Sequence, residues 1–296
     1  MNKRSFKDKV VNELIGKTYS YFCAAVVIII TISIIVFLTL KGIRTFTSGY
    51  ESVYDFLFTN NWNPDGENVS LGASAFIIGS IYVSLGAVVI SAPIAIVIAV
   101  FVNIISKKLG KNIIKPSLEL LVGIPSVVYG WVGISVLVPF ISEHFNGFGY
   151  SLIAGILVLS LMILPTIASL CIDAIKNVPN EYIEASYGLG STRWQTITKV
   201  IIPSSKSAIL TGVVLGTARA FGEALAVQMV IGNAKKIPDS IFSSMSTITS
   251  RITMDMANTA KDSPANNGLW TLSLILLVIS FLFILLIRKI EKGSDI

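Results

Sequence analysis

The sequence predicts an all-α polytopic membrane protein with six transmembrane helices, and two observations carry this prediction. The 296 residues are 53% hydrophobic and only 14% charged, whereas soluble domains are about 25% charged. Six apolar runs are long enough to cross a bilayer core of about 30 Å, which requires about 20 helical residues. This composition excludes a soluble enzyme, a disordered tail and a nucleic-acid-binding domain.

Each predicted span is an apolar run separated from the next by polar or charged residues. Three runs contain a proline, namely Pro93, Pro125 and Pro165. A helix inside a bilayer tolerates proline when neighbouring helices supply the missing hydrogen bonds. We therefore expect a packed bundle rather than six independent anchors. The predicted spans are Tyr19–Leu40, Ala73–Val102, Ser117–Phe140, Tyr150–Ile172, Ala208–Ile231 and Leu269–Ile287.

The basic residues predict the side that each loop faces. Eight lysines and arginines lie in the two tails and four in each of the second and fourth loops, whereas the first, third and fifth loops hold two, none and four. Because cytoplasmic loops are enriched in Lys and Arg, we expect a multi-pass protein of the plasma membrane with both termini in the cytoplasm. The resulting division is a cytoplasmic tail at 1–18, a first transmembrane helix at 19–40, an extracytoplasmic loop at 41–72, a transmembrane core at 73–287 and a second cytoplasmic tail at 288–296.

Residues that carry covalent or metal chemistry are scarce. His144 is the single histidine, and Cys23 and Cys171 both lie inside apolar runs. We therefore expect no catalytic residue, no metal site and no cofactor. An intramembrane hydrolase remains a competing class, although no nucleophile and base stand at a workable spacing.

The fourth loop, which is predicted to be cytoplasmic, has the pattern of two short helices. Gly188 and Gly190 can end the first helix, and Thr192 with Gln195 three residues later forms a capping box for the second. A surface segment of this kind, over residues 179–203, either docks on a partner or simply connects two spans. Geometry alone favours the connector.

Arg219 lies near the middle of the predicted fifth span, and Glu223 follows one helical turn later on the same face. A charge at this depth costs at least about 2.5–3.5 kcal/mol on insertion scales and marks a candidate functional site. The two residues are either an internal ion pair that orders the bundle or part of an anion pathway. In the pathway, Arg219 would attract an oxyanion and Glu223 would moderate that attraction.

Four residues of the fourth loop match the EAA loop of ABC-importer permeases in register, namely Glu184, Ala185, Gly190 and Pro203. The chain therefore resembles the binding-protein-dependent type I permeases. The resemblance implies the type I ABC-importer permease fold. It also implies that residues 179–203 couple the chain to a separate ATPase subunit, on which ATP hydrolysis takes place.

Two further runs, Gly123–Gly130 and Arg219–Asn233, resemble the permease subunits of bacterial phosphate importers. The resemblance implies translocation of inorganic phosphate with Arg219 and Glu223 in the pathway. The implied partners are a PstA-like permease subunit, a PstB-like ATPase dimer, a PstS-like phosphate-binding protein, phosphate and membrane lipid, with no nucleic acid. Alternatives are the sister PstA-type subunit and a permease for another oxyanion, such as molybdate or sulfate.

Overall fold

A computed structural model of the chain describes residues 16–145 and 147–292, without the side chains of residues 290–292. Of the two predicted cytoplasmic tails, only residues 16–18 and 288–292 fall within this described part, and the others lie outside it. The predictions for 1–15 and 293–296 therefore stay predictions.

Helices make up the described chain apart from loops and one short β-hairpin, which confirms the predicted all-α fold. The α-helices are α1 (Gly16–Gly42), α2 (Arg44–Thr47), α3 (Val53–Phe58), α4 (Ser74–Val100), α5 (Lys107–Leu109), α6 (Lys115–Gly123), α7 (Ser126–Val132), α8 (Val138–His144), α9 (Leu152–Lys176), α10 (Asn180–Gly188), α11 (Arg193–Thr196), α12 (Ile202–Ser204), α13 (Lys206–Gly222), α14 (Leu225–Ile231), α15 (Ile248–Asp255) and α16 (Pro264–Lys292). Single π-helical turns lie at Phe101–Ile105, Gly110–Ile114, Gly133–Leu137 and Ile197–Ile201, and a 3-10 turn lies at Met256–Asn258. The hairpin pairs β1 (Trp62–Asn63) with β2 (Ser70–Leu71) in antiparallel register.

Five continuous helical stretches are long and apolar enough to cross a bilayer, and a bent pair of helices supplies a sixth span. The bent pair joins Arg193–Ser204 to Lys206–Gly222 at an angle of 67°. With that pair counted as one span, the predicted six-helix architecture is confirmed in the described chain. The five continuous spans are Gly16–Thr47, Ser74–Ile105, Ser126–His144, Leu152–Lys176 and Pro264–Lys289.

The predicted third span, Ser117–Phe140, is wrong as a single helix because the chain breaks at Ile124 and Pro125. Ile124 has an extended backbone, with φ −70° and ψ 127°, and α7 begins directly after Pro125. A proline disfavours the helical conformation of the residue before it and has no N–H to donate. α6 is therefore a separate helix that precedes the span.

The predicted fifth span, Ala208–Ile231, is interrupted as well. α13 ends at Gly222, Glu223 has an extended backbone with φ −75° and ψ 129°, and α14 begins at Leu225. The Glu223 carboxylate accepts a hydrogen bond from the backbone N–H of Ala226 at 3.0 Å. It therefore satisfies one of the donors that the start of a helix leaves open.

α9 is the central helix of the bundle, with α4, α13 and α14 packed around it. Small residues allow this close packing, since a Cβ at Gly216 would lie 2.4 Å from Cγ1 of Ile167. A polar contact also ties α4 to α9, because the Ser91 hydroxyl donates to the backbone carbonyl of Ser160 at 2.9 Å. The core that holds the candidate site is thus the α4–α9–α13–α14 group.

α1 lies at the periphery and packs chiefly against α16. Phe37 of α1 and Trp270 of α16 stack edge to face with centroids 5.3 Å apart, and the hydroxyl of Thr45 in the adjoining α2 lies 2.6 Å from that of Thr271 in α16. None of the most apolar stretch of α1 is buried within the described chain. Its apolar side chains are therefore free to meet lipid or another subunit.

Candidate functional site

The helices that follow the two breaks, α7 and α14, pack against each other, which brings two separate sequence runs together. Glycines on one side make this possible: a Cβ at Gly130 would lie 2.6 Å from the sulfur of Met229, and one at Gly133 would lie 2.7 Å from Cγ1 of Val230. Gly130 ends the run that starts at Gly123. Its neighbour Met229 belongs to the run that starts at Arg219. The two runs that carry the resemblance therefore form one structural unit.

Arg219 lies in the last turn of α13, directly before the break, and its side chain is half-buried. One guanidinium nitrogen donates a hydrogen bond to the hydroxyl of Thr166 on α9, at 2.9 Å. The Tyr129 phenol is close enough to interact electrostatically with the guanidinium, and it donates its own proton to the carbonyl of Leu121 at 2.8 Å. The two groups near the Arg219 guanidinium, the Thr166 hydroxyl and the Tyr129 phenol, are thus neutral.

The prediction that Arg219 and Glu223 share one helical face is wrong. The helix ends at Gly222, so Glu223 lies outside α13, and its carboxylate caps the start of α14. Arg219 and Glu223 form no ion pair in the described structure, in which the ion pairs involve other residues. The interpretation of these two residues as an internal ion pair therefore has no support.

Glu223 also lines a small cavity together with four hydroxyl residues and five apolar ones. The hydroxyl residues are Ser80 and Ser84 of α4 and Thr247 and Thr249 near the start of α15. The Ser80 hydroxyl accepts a hydrogen bond from the backbone N–H of Ile248 at 2.8 Å. Glu223 therefore lines a cavity in which hydroxyl and apolar side chains are mixed.

Sequence reasoning missed Thr166, Tyr129 and these hydroxyls. The one available signal was the position of Thr166, a polar residue directly after the mid-span proline Pro165. Such a residue deep in a span is a candidate partner for a buried charge. No spacing rule connects Thr166 to Arg219, because the two lie on different helices.

The 179–203 segment forms two short helices with a glycine between them, as predicted. Gly190 has φ +79°, in the left-handed region that favours glycine. The capping box of Thr192 and Gln195 is present in full. Pro203 lies at the start of α12, just before the 67° bend into α13. The chain therefore bends sharply between this segment and α13.

The exposed surface of this segment carries large apolar side chains beside charged ones. Leu189 is 88% exposed and Trp194 is 68% exposed, and Glu184 and Ala185 are exposed as well. The inner face is held by a 3.0 Å contact between the hydroxyls of Ser186 and Thr196, which joins α10 to α11. The segment thus presents large apolar side chains from a rigid base.

His144 makes no catalytic arrangement in the described chain. Its Nδ1 lies 2.9 Å from the carbonyl of Phe140, and its ring stacks on that of Phe140 with centroids 4.4 Å apart. Ser240 and Ser243 line the same shallow surface depression, but neither hydroxyl forms a hydrogen bond with His144. These contacts give the hydrolase alternative no support.

Comparison with known proteins gives consistent matches along the chain. Residues 91–295 match the family model for the binding-protein-dependent transport system inner membrane component. The chain is 47% identical over 293 residues to the probable ABC transporter permease protein YqgH of Bacillus subtilis, covering 99% of this chain and 95% of the relative. It is 36% identical to the phosphate transport system permease protein PstC of Pasteurella multocida, covering 81% of each.

Solved structures agree on the fold. A chain of the bacterial alginate ABC transporter, solved with an alginate-bound periplasmic protein, superposes with a TM-score of 0.65 at 14% identity and covers 98% of this chain and 99% of its own. A chain of the inward-facing MetNI methionine ABC transporter superposes with a TM-score of 0.57 at 17% identity, covering 75% and 94%. At these identities the likeness supports the fold alone.

Proposed function

The chain belongs to the family of binding-protein-dependent transport system inner membrane components and is an ABC-importer permease subunit, and from that premise we propose that it translocates inorganic phosphate across the plasma membrane. ATP hydrolysis then takes place on a separate ATPase subunit. Relatives named phosphate transport system permease protein PstC, at 30–36% identity, support phosphate over molybdate or sulfate and the PstC role over that of the sister subunit.

The observation that carries the proposal is the set of partners around Arg219. A guanidinium has five N–H donors, and the structure assigns one of these to the neutral hydroxyl of Thr166. Its charge is not neutralised by Glu223. Since an arginine inside a membrane is costly unless something compensates it, a passing phosphate is a suitable partner, because it accepts bidentate hydrogen bonds from arginine.

In this proposal the Thr166 hydroxyl orients Arg219, and Glu223 limits how long the phosphate stays. The Glu223 carboxylate is fixed by its bond to the Ala226 N–H, and it forms no ion pair with the guanidinium in the described structure. Its negative charge opposes that of phosphate. A site of this kind attracts the anion yet releases it, as a transport pathway requires.

The 179–203 segment is the proposed contact with the ATPase. Its exposed apolar side chains, Leu189 and Trp194, suit the core of a protein interface, where large apolar and aromatic residues are enriched. The proposed complex contains a PstA-like permease subunit, a PstB-like ATPase dimer and a PstS-like phosphate-binding protein. Alternation between inward-open and outward-open states, each favoured by a different ligand, then drives the phosphate inward.

Uptake of radiolabelled phosphate by a deletion strain that carries Arg219→Gln tests the proposal. We expect the initial rate at low phosphate to fall by about 10- to 100-fold, since a hydrogen bond to a charged group contributes about 1.5–3 kcal/mol. Membrane insertion and assembly with the partner subunits should be unchanged. Excess unlabelled phosphate should compete with uptake by the wild type, whereas sulfate and molybdate should not.

Arg288→Gln is the matched control, since it removes the same charge from an exposed position near the end of α16. This variant should transport at the wild-type rate. Normal uptake by Arg219→Gln would limit Arg219 to a structural role. Effective competition by sulfate or molybdate would leave the permease role intact. It would show that this other oxyanion, and not phosphate, is the substrate.

A further inference from the structure

A basic cavity of about 510 Å³ lies outside the candidate pathway, between the ends of α4 and α9 and the start of α10. Four lysines line it: Lys107, Lys111 and Lys115 from the turns that follow α4, and Lys176 from the last turn of α9. The spans Ser74–Ile105 and Leu152–Lys176 both end here. The cavity is therefore at the boundary between the apolar bundle and water.

The positive charge around this cavity is largely uncompensated. Lys115 pairs with Asp173 at 3.4 Å, whereas Lys107, Lys111 and Lys176 take part in none of the ion pairs of the described structure. Ammonium groups held around one space repel each other, and this repulsion is relieved when an anion enters. The lysines thus favour a negatively charged ligand.

The floor of the cavity is apolar, which selects among anions. Seven of the thirteen residues that line the cavity are aliphatic, and two of them, Ile104 and Ile183, are partly exposed. The amide of Asn103, which also lines the cavity, already donates to the carbonyls of Ala99 and Ile172 at 3.0 and 2.9 Å. A free inorganic ion gains nothing from an apolar floor, whereas an amphiphile places its headgroup on the lysines and its glycerol and upper acyl chain on the isoleucines.

We propose that this cavity binds the headgroup of an anionic phospholipid from the adjacent leaflet. Basic pockets between transmembrane helices at the cytoplasmic side bind such headgroups, and the distribution of Lys and Arg predicts that this end of the bundle is cytoplasmic. Asn180 and Ile183 of α10 line the same cavity. A bound lipid therefore fixes α10, the first helix of the 179–203 segment, against the ends of α4 and α9. The inference does not depend on which solute is transported.

Native mass spectrometry of the full chain in detergent tests this site, with phosphatidylglycerol, phosphatidylcholine of the same acyl chains and inorganic phosphate as separate probes. We expect phosphatidylglycerol to bind at least 10-fold more tightly than phosphatidylcholine. The triple variant Lys107→Gln, Lys111→Gln and Lys176→Gln should weaken phosphatidylglycerol binding by about 100-fold, since each lysine near a membrane surface strengthens anionic lipid binding by about five-fold.

The control triple variant Lys108→Gln, Lys206→Gln and Lys289→Gln removes the same charge from exposed positions outside the cavity. It should bind phosphatidylglycerol like the wild type. Each single substitution within the cavity should weaken binding by a few-fold, which keeps the test valid if the cavity triple unfolds. Binding by the cavity triple equal to that of its control, or displacement of phosphatidylglycerol by millimolar inorganic phosphate, would overturn the proposal.

Discussion

Arg219 is oriented by a neutral hydroxyl, and this determines how its charge acts. A carboxylate partner would cancel most of its field, whereas Thr166 directs the guanidinium and leaves the charge in place. In surroundings that screen less than water, such a charge acts strongly on any anion nearby. In the proposed function, this hydrogen bond between α13 and α9 leaves the charge of Arg219 available to phosphate.

At the same scale, Asp262 joins the first and last helices. It accepts hydrogen bonds from Lys41 at 3.3 Å and Arg44 at 2.8 Å. The bond from Lys41, followed by the charges of Lys41, Arg44 and Lys261, holds the pKa of Asp262 below its usual value despite the opposing effect of burial. Its backbone has φ +60°, a conformation that Asn also tolerates.

We expect Asp262→Asn to lower the apparent Tm in detergent at pH 7. Because the pKa is lower in the folded state, the stabilisation is present above the unfolded value of about 3.9 and is lost as pH falls through the folded value. The difference in Tm between Asp262→Asn and the wild type should therefore disappear below about pH 4. Asp65→Asn, an exposed residue outside the ion pairs of the described structure, should show no such difference. A difference that stays constant with pH would contradict the role of these charges.

Single residues of the site were only partly predictable from the sequence. Arg219 is conspicuous because it is a charged residue inside an apolar run. The sequence alone therefore identifies it as a candidate site residue. Its partner is not visible in the sequence, since Thr166 lies 53 positions away on another helix. Local spacing assigned Glu223 to Arg219, and that assignment is wrong because it assumed an unbroken helix.

At the scale of the element, the 179–203 segment depends on one backbone conformation. Gly190 and Gly188 both face open space, but only Gly190 has a positive φ. An added Cβ therefore meets no atom at either position, and the difference between the two is purely conformational. For an L-residue the left-handed conformation costs about 1–2 kcal/mol.

We expect Gly190→Ala to weaken association with the ATPase by about 10-fold, in line with that conformational cost of about 1–2 kcal/mol. Co-purification and the transport-coupled ATPase rate measure the effect. Gly188→Ala adds the same methyl group at a position without the positive φ, so it should weaken association less. Equal effects of the two substitutions would show that the turn at Gly190 does not position the segment.

The two helix breaks show which elements sequence patterns reveal. The break at Ile124 was accessible, because a residue before proline avoids the helical conformation, yet the apolar run around it predicted one continuous span. The break at Glu223 has only Gly222 as a local signal, and glycine is common in membrane helices. The capping box at Thr192 was predicted correctly because both of its partners are local.

For the whole molecule, orientation is the prediction to test. In a variant without Cys23 and Cys171, we expect a membrane-impermeant maleimide to label Glu67→Cys in intact cells and Glu181→Cys only after the membrane is opened. Both positions are exposed, and the distribution of Lys and Arg places them on opposite sides. The reverse labelling pattern would invert the topology and move the basic cavity to the outer leaflet.

Hydropathy and charge were sufficient to predict the number of spans, because a helix that crosses a bilayer must have a certain length and an apolar composition. They could not give the packing order, which depends on contacts between distant residues. The central place of α9 follows from small residues such as Gly216 that match Ile167 across a helix interface. Such matches have no signature in a single sequence.

The pairing of α1 with α16 has a consequence for synthesis. A ribosome completes α1 hundreds of residues before α16 emerges, so α1 enters the bilayer with its main neighbour still unmade. Its central side chains are apolar on all sides, so the helix is stable in lipid before α16 has been synthesised. Closure of the contact between Phe37 and Trp270 is thus among the last steps of biogenesis, and chains truncated before α16 leave α1 without its main partner.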